Sequence, residues 1–257
     1  MFFKRNKIGL TLVAGGAKGL AHVGVLKVLE KYEIPIHSIA GCSIGAIVGG
    51  AYAYNPDIDA IEKFALNFNK KDWIKTVGKN LFNKQILRDL LSEIIPPDAR
   101  IEDCKIPFRC NSVDILTGRE IVFRKGNLLQ AIMASSALPP VFREVRIKDY
   151  RLMDGGALNP APNSLLKELG ANKIIMVSIA ESPGTKFRGK YSKFNLLHHY
   201  SMNATAQLIR LAEQDADVVI RPDVGTIDTL EFWKWQLAID EGEQATEDLI
   251  KSIRRLR

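Results

Sequence analysis

A chain of 257 residues can bury a large core and fits a single α/β domain. Its formal charge of +7 permits affinity for an anionic membrane surface or for nucleic acid and establishes neither. No apolar run approaches the roughly 20 residues that span a bilayer, which excludes a transmembrane helix.

The first apolar run, Ile8 to Ala14, follows Lys4, Arg5 and Lys7 and ends in Gly15-Gly16. It is short and lacks a cleavage-type site, so it reads as a first strand and not as a signal peptide. The three cysteines, Cys42, Cys104 and Cys110, are odd in number and lack metal-ligand spacing. They fit a reduced, cytoplasmic compartment, with Cys42 and Cys110 as small buried hydrophobes.

After that strand come Gly15-Gly16-Ala17-Lys18-Gly19 and a helical run, Leu20 to Tyr32. Glycine-rich backbone at a helix start aims free N–H groups and the positive dipole end at one spot, which suits a phosphate or a developing oxyanion. The loop reads A-x-G-x-x-G, one glycine short of the dinucleotide fingerprint, and the second strand ends Ile39-Ala40-Gly41 without the carboxylate that would hold a ribose. Neither Gly15 nor Gly16 begins a phosphate-binding P-loop. Nucleotide chemistry therefore falls behind the oxyanion reading.

Ile36 to Ala40 reads as the second strand, followed by Gly41-Cys42-Ser43-Ile44-Gly45 and a small-residue helix, Ala46 to Ala53. A serine at the apex of a tight strand-to-helix turn is pushed out of the sheet, and Gly41 and Gly45 let strand and helix approach closely enough to make that turn. Ser43 is a candidate nucleophile; the plainer reading is a helix N-cap between turn glycines.

Residues 57–97 look helical and amphipathic, either a helical insertion packed on the sheet or a flap over an apolar pocket. Phe108 to Ile115 and Glu120 to Phe123 alternate like a hairpin about Thr117-Gly118, and a short helix, Asn127 to Ser135, runs into Pro139-Pro140. Asp154 ends a short strand before Gly155-Gly156, a carboxylate held on a tight loop or merely a good turn. Lys173 to Ile179 is nearly continuous apolar sequence, as in a parallel strand covered on both faces. The stretch 186–194 is basic and aromatic without an acid, a solvated loop or a contact for an anionic membrane. A long helix from Leu196 to Asp215, a strand at Asp217 to Ile220 and a final helix from about Thr229 to Leu256 complete the pattern. Strand–helix alternation predicts an α/β fold.

A serine nucleophile needs a base. Ser43, Asp154 and His198 or His199 would keep the order of an α/β-hydrolase triad, although both histidines fall inside an amphipathic helix.

With these motifs the chain resembles the patatin-like phospholipase family. Ala14 to Gly19 with Ala21-His22-Val23-Gly24-Val25-Leu26, the Gly41 to Gly45 elbow, and Asp154-Gly155-Gly156 followed by Asn159 and Pro162 carry the resemblance, together with Ala134 to Phe142. It spans about Ile8 to Lys167. It implies a three-layer α/β fold, a mostly parallel central sheet with helices on both faces, having a core over 8–167 and a strand-and-helix extension of the same domain over 168–257. It further implies a Ser43–Asp154 dyad without a catalytic histidine and N–H donors from Gly15, Gly16 and Ala17 to the oxyanion. Lys18, Gly19, Gly41, Gly45, Gly155 and Gly156 are implied as supporting residues. The expected activity is hydrolysis of lipid or other acyl esters, with no metal or organic cofactor, no nucleic acid, and membrane contact, if any, through 186–194. A non-catalytic regulator that binds acyl chains or a protein partner is the alternative. Ala14 stands where the family usually has a third glycine, so the loop would be strained if that position needed a positive φ.

Overall fold

The computed structural model describes residues 6–66, 84–139, 141–180 and 192–257. Among these, eight strands form one sheet in the order β5-β6-β3-β2-β1-β7-β8, with β4 on the far edge of β3. Its parallel centre is β1 (Ile8–Leu12), β2 (Ile36–Gly41), β3 (Phe108–Asp114), β7 (Lys173–Val177) and β8 (Val218–Ile220). β4 (Arg119–Phe123), β5 (Val145–Ile147) and β6 (Tyr150–Asp154) run antiparallel to their neighbours. The expected three-layer, mostly parallel fold is what the chain forms, and β7 and β8, beyond residue 167, extend the same sheet.

The central strand β1 is buried at all five positions, as a strand covered on both faces must be. Leu10 and Leu12 join the main core with α1 (Ala21–Lys31), α2 (Ile44–Tyr54) and α8 (Trp235–Arg254). The alternate positions face α6 (Asn163–Glu168) on the other side, where the Thr11 hydroxyl donates to Asn163 Oδ1 at 2.6 Å. α3 (Ile58–Leu66), α4 (Lys84–Leu91) and α5 (Leu128–Ser135) add to the first face. Asn127 caps α5, accepting the Gln130 N–H at 2.8 Å.

The register of β3 positions the elbow. β4 pairs with β3 without a break from Cys110 to Asp114, so it fills one edge of β3. β2 pairs with β3 up to Gly41↔Cys110, and β6 pairs with it from Ser112↔Asp154 onward. Both must therefore lie on the opposite edge, one after the other. The C-terminal end of β2 abuts the C-terminal end of β6, and there the chain leaves β2 for the elbow.

Two elements differ from the sequence expectations. The last helix starts at Trp235, after a short 3-10 turn at Phe232–Lys234, and not near Thr229. The Glu231 carboxylate accepts the Asp228 N–H at 3.0 Å, while Lys234 Nζ reaches the Thr226 carbonyl at 2.9 Å, so a knot of local bonds replaces the helix over 226–234. The short edge strand β5 carried no alternating pattern long enough to announce it. Residues 67–83, in the middle of the suspected flap, lie outside the described residues, as do 181–191, which take in most of the basic-aromatic stretch.

Candidate active site

Ser43 stands at φ 55°, ψ −124°, a strained conformation for a residue with a side chain. The turn closes only because its flanking residues lack side chains. A Cβ on Gly45 would lie 2.0 Å from the Leu12 carbonyl oxygen, and one on Gly41 2.3 Å from that of Gly45. Bonds on either side hold the strain: the Ser43 N–H donates to Ser135 Oγ at 3.0 Å, and the Ser136 hydroxyl donates to the Ser43 carbonyl at 3.1 Å. The two serines at the end of α5 thus grip the elbow. Sequence reasoning had noted their stretch without assigning them that task.

The strand abutment brings Asp154 to the same place. The Ser43 hydroxyl donates to Asp154 Oδ2 at 2.6 Å, and the other carboxylate oxygen accepts the Gly156 N–H at 2.8 Å. Asp154 is only 6% exposed, and burial pushes its carboxyl up to about 6 against the pull of these two hydrogen bonds. The serine bonds directly to the carboxylate.

His22 stands apart from this pair. His22 is fully buried, and its Nε2–H donates to the Val13 carbonyl at 3.0 Å, which fixes the tautomer. Burial lowers its pKa to about 4, so it is a neutral prop under the strand that leads into the glycine loop. His199 is half-buried on α7 (Lys193–Ala212), and the side chain of His198 lies outside the described residues. Cys42, next to the serine, is buried, and burial drives its thiol well above the ordinary range, so it is no thiolate nucleophile.

The glycine loop opens a 3-10 turn, Gly16–Leu20. Ala14 is not among the residues with positive φ, so alanine strains nothing there, and its N–H is held by the Pro160 carbonyl at 2.9 Å. The left-handed residue is Gly16, at φ 58°. Ala17 does not match its expected use as a free donor, because its N–H is taken by the Thr229 carbonyl at 2.8 Å. Gly15 and Gly16 keep N–H groups with no acceptor among the described residues. Lys18 is buried, while Gly19, Gly155 and Gly156 lie in the packed frame of the two loops.

Two cavities meet at Ser43. One runs between α2, α3 and α4 and is walled by aliphatic and aromatic side chains, among them Ile47, Ile61, Phe64, Leu91 and Phe232. The other contains Gly15, Gly16, Ser43 and Asp154 and extends past Ser201 and Thr205 of α7. Thr229 borders both. No signal in the sequence pointed to Thr229, because what it contributes to the loop is a backbone carbonyl. Among the described residues no cluster of His, Cys, Asp and Glu could hold a metal ion.

The family model for patatin-like phospholipase matches residues 10–166. The chain belongs to that family. Uncharacterized NTE family proteins of Mycobacterium bovis and Mycobacterium tuberculosis are 33% identical to it over 178 residues, 67% of this chain and 49% of theirs. A lysophospholipase of Candida albicans is 33% identical over 183 residues, 67% of this chain and 13% of that protein. The chain thus spans about half the length of the mycobacterial relatives and a much smaller part of the fungal one. Among solved structures, VipD from Legionella pneumophila superposes with a TM-score of 0.56 at 14% identity, covering 96% of this chain and 67% of that one. The type III effector ExoU gives 0.51 at 14% identity, covering 98% and 53%. At such identities the two structures speak for the patatin-like fold alone.

Proposed function

We propose that the chain is a serine acyl hydrolase acting on lipid carboxylic esters of the phospholipid or lysophospholipid kind. The 2.6 Å bond from the Ser43 hydroxyl to Asp154, at the meeting point of two cavities, is the observation that carries this reading. The names of the fungal relatives, lysophospholipases, agree with it.

In this mechanism Asp154 accepts the Ser43 proton as the oxygen attacks the ester carbonyl. The oxyanion that forms receives the N–H groups of Gly15 and Gly16, with Ala17 spent on Thr229. Asp154 returns its proton to the departing alkoxide, leaving an acyl-serine. A water molecule that gives its proton to Asp154 then attacks the acyl carbon, and Ser43 recovers its hydrogen as the fatty acid leaves. The largely apolar cavity between α2, α3 and α4 suits an acyl chain, and the cleft beside α7 suits the alcohol half. On this reading 8–167 and 168–257 act as one catalytic unit, since Thr229 and Phe232 wall the acyl cavity.

Hydrolysis of a short-chain p-nitrophenyl ester tests it. Ser43→Ala and Asp154→Asn are expected to lose on the order of 10³-fold or more, and a His198→Ala/His199→Ala double variant to keep its rate. Full activity in Ser43→Ala would sink the proposal; loss in a folded double-histidine variant would replace the dyad with a triad.

A further inference from the structure

We infer that the rim of the Ser43–Asp154 cleft is a docking surface for an anionic lipid bilayer, built by two hairpin tips on one side and the first half of α7 on the other.

The register dictates where the rim lies. β3 continues past Ser112, opposite Asp154, to Asp114 and the turn 115–118; β6 enters from the turn 148–149. Tyr150 lies four residue steps along the strand from Asp154, which sets that turn about 13 Å beyond the carboxylate. Both turns therefore project from the same end of the sheet as the elbow. Across the cleft, Leu197, Ser201 and Thr205 line the wall on successive turns of α7.

These projections carry apolar side chains into solvent. Ile115 is 50% exposed, Leu116 63%, Leu197 68% and Tyr200 75%, and Tyr150 and Leu158 are each 44% exposed. Ile115 and Leu197 also line the cleft, so the exposed apolar surface is continuous with its interior. A closed core would have drawn such side chains in, and contiguous exposure around a cleft mouth marks a contact surface.

The charge on the same tips selects the partner. Arg119, Lys148 and Arg151 are exposed, and among the described residues none of them has an ion-pair partner. Arg146 is held by Glu144. Of the acids, Asp114 is buried and turned inward, accepting from the Thr117 hydroxyl and the Arg151 N–H; Glu120, beside Arg119, is exposed and accepts from the Asn111 and Asn159 side-chain amides, and Asp149 is exposed. An apolar ring studded with unpaired cations complements the anionic face of a bilayer: leucine and tyrosine enter the interface while arginine and lysine meet phosphate. A second copy of the chain would bring the same cations against themselves.

Cosedimentation of the full chain with vesicles, read separately from ester hydrolysis, tests this. Wild type is expected to bind phosphatidylcholine vesicles containing phosphatidylglycerol, to bind pure phosphatidylcholine poorly, and to be released by high salt. Leu116→Glu/Tyr200→Glu should weaken binding about tenfold or more, and each of Arg119→Gln, Lys148→Gln and Arg151→Gln about fivefold. All these variants should keep wild-type turnover of a soluble monomeric ester, which also shows that they fold. Ser43→Ala should bind vesicles as wild type does, so that loss of the hydrolase reading leaves docking intact. Equal binding by wild type and the rim variants overturns the inference. So does indifference to anionic lipid, or a dimer in light scattering that Leu116→Glu dissociates while vesicle binding stays unchanged.

Discussion

At the scale of single residues, Asp154 carries a tension between stability and chemistry. Burial holds its carboxyl up to about 6, against an ordinary 3.8. Between those two values the folded chain keeps a proton that the unfolded chain has released, so the group's penalty grows as pH rises through the window and is complete above it. The difference corresponds to about 3 kcal/mol at neutral pH. Asp154→Asn can still accept from the Gly156 N–H and reach Ser43, so it should raise the melting temperature above pH 6 and leave it unchanged near pH 3.5, while ester hydrolysis disappears. Thermal melts of the two proteins across that range check this. Wild-type turnover should rise with pH through about 6, as the base form of Asp154 appears; a rate that stays flat down to pH 4 would rule Asp154 out as the base. The elbow glycines and Ser43 were legible in the sequence, because strand-to-helix turns impose their own residue types, whereas Asp154 read as no more than a turn until the family resemblance paired it with the serine. The grip of Ser135 and Ser136 and the bond from Thr229 were not legible: backbone carbonyls carry no letter, and a serine hydroxyl serves many ends.

At the scale of elements, the glycine loop and the 226–234 segment form one piece. Gly16 stands in the left-handed region, and a Cβ there would lie 2.3 Å from the Thr229 carbonyl oxygen, the acceptor of the Ala17 N–H. Gly16→Ala should therefore push the two segments apart and displace the Gly15 and Gly16 N–H groups. The expected result is a loss of roughly 1–3 kcal/mol in stability together with most of the esterase rate. Gly170→Ala is the control: it too has positive φ, but nothing lies within 4 Å of its added Cβ, so it should be destabilised by about 1 kcal/mol with the rate intact. Equal rates in both variants would dissociate the loop from catalysis. Strong periodicity made β1, β2, the β3–β4 hairpin, α5 and β7 readable from the chain. The start of α8 was misread, since the apolar residues Leu230 and Phe232 extend its pattern upstream while local side-chain bonds break the helix.

At the scale of the whole molecule, the fold followed from alternation of strands and helices, whereas the sharing of one edge of β3 by β2 and β6 did not. Sequence gives each strand its face but not its partner along an edge. The shared edge has a temporal consequence. Ser43 and Asp154 come from strands more than a hundred residues apart, and neither strand touches the other except end to end on β3. A chain whose elbow is formed but whose β6 is still unpaired has a serine with no base. Such long-range pairing closes late, after local helices have formed. On dilution from denaturant, the helical circular dichroism should recover before esterase activity does, and coincident recovery would argue against this order. If Ser43 and Asp154 act as proposed, the site would thus be silent for as long as its sheet is unfinished, and an incomplete chain emerging near a membrane would hold every motif of the family and no assembled site.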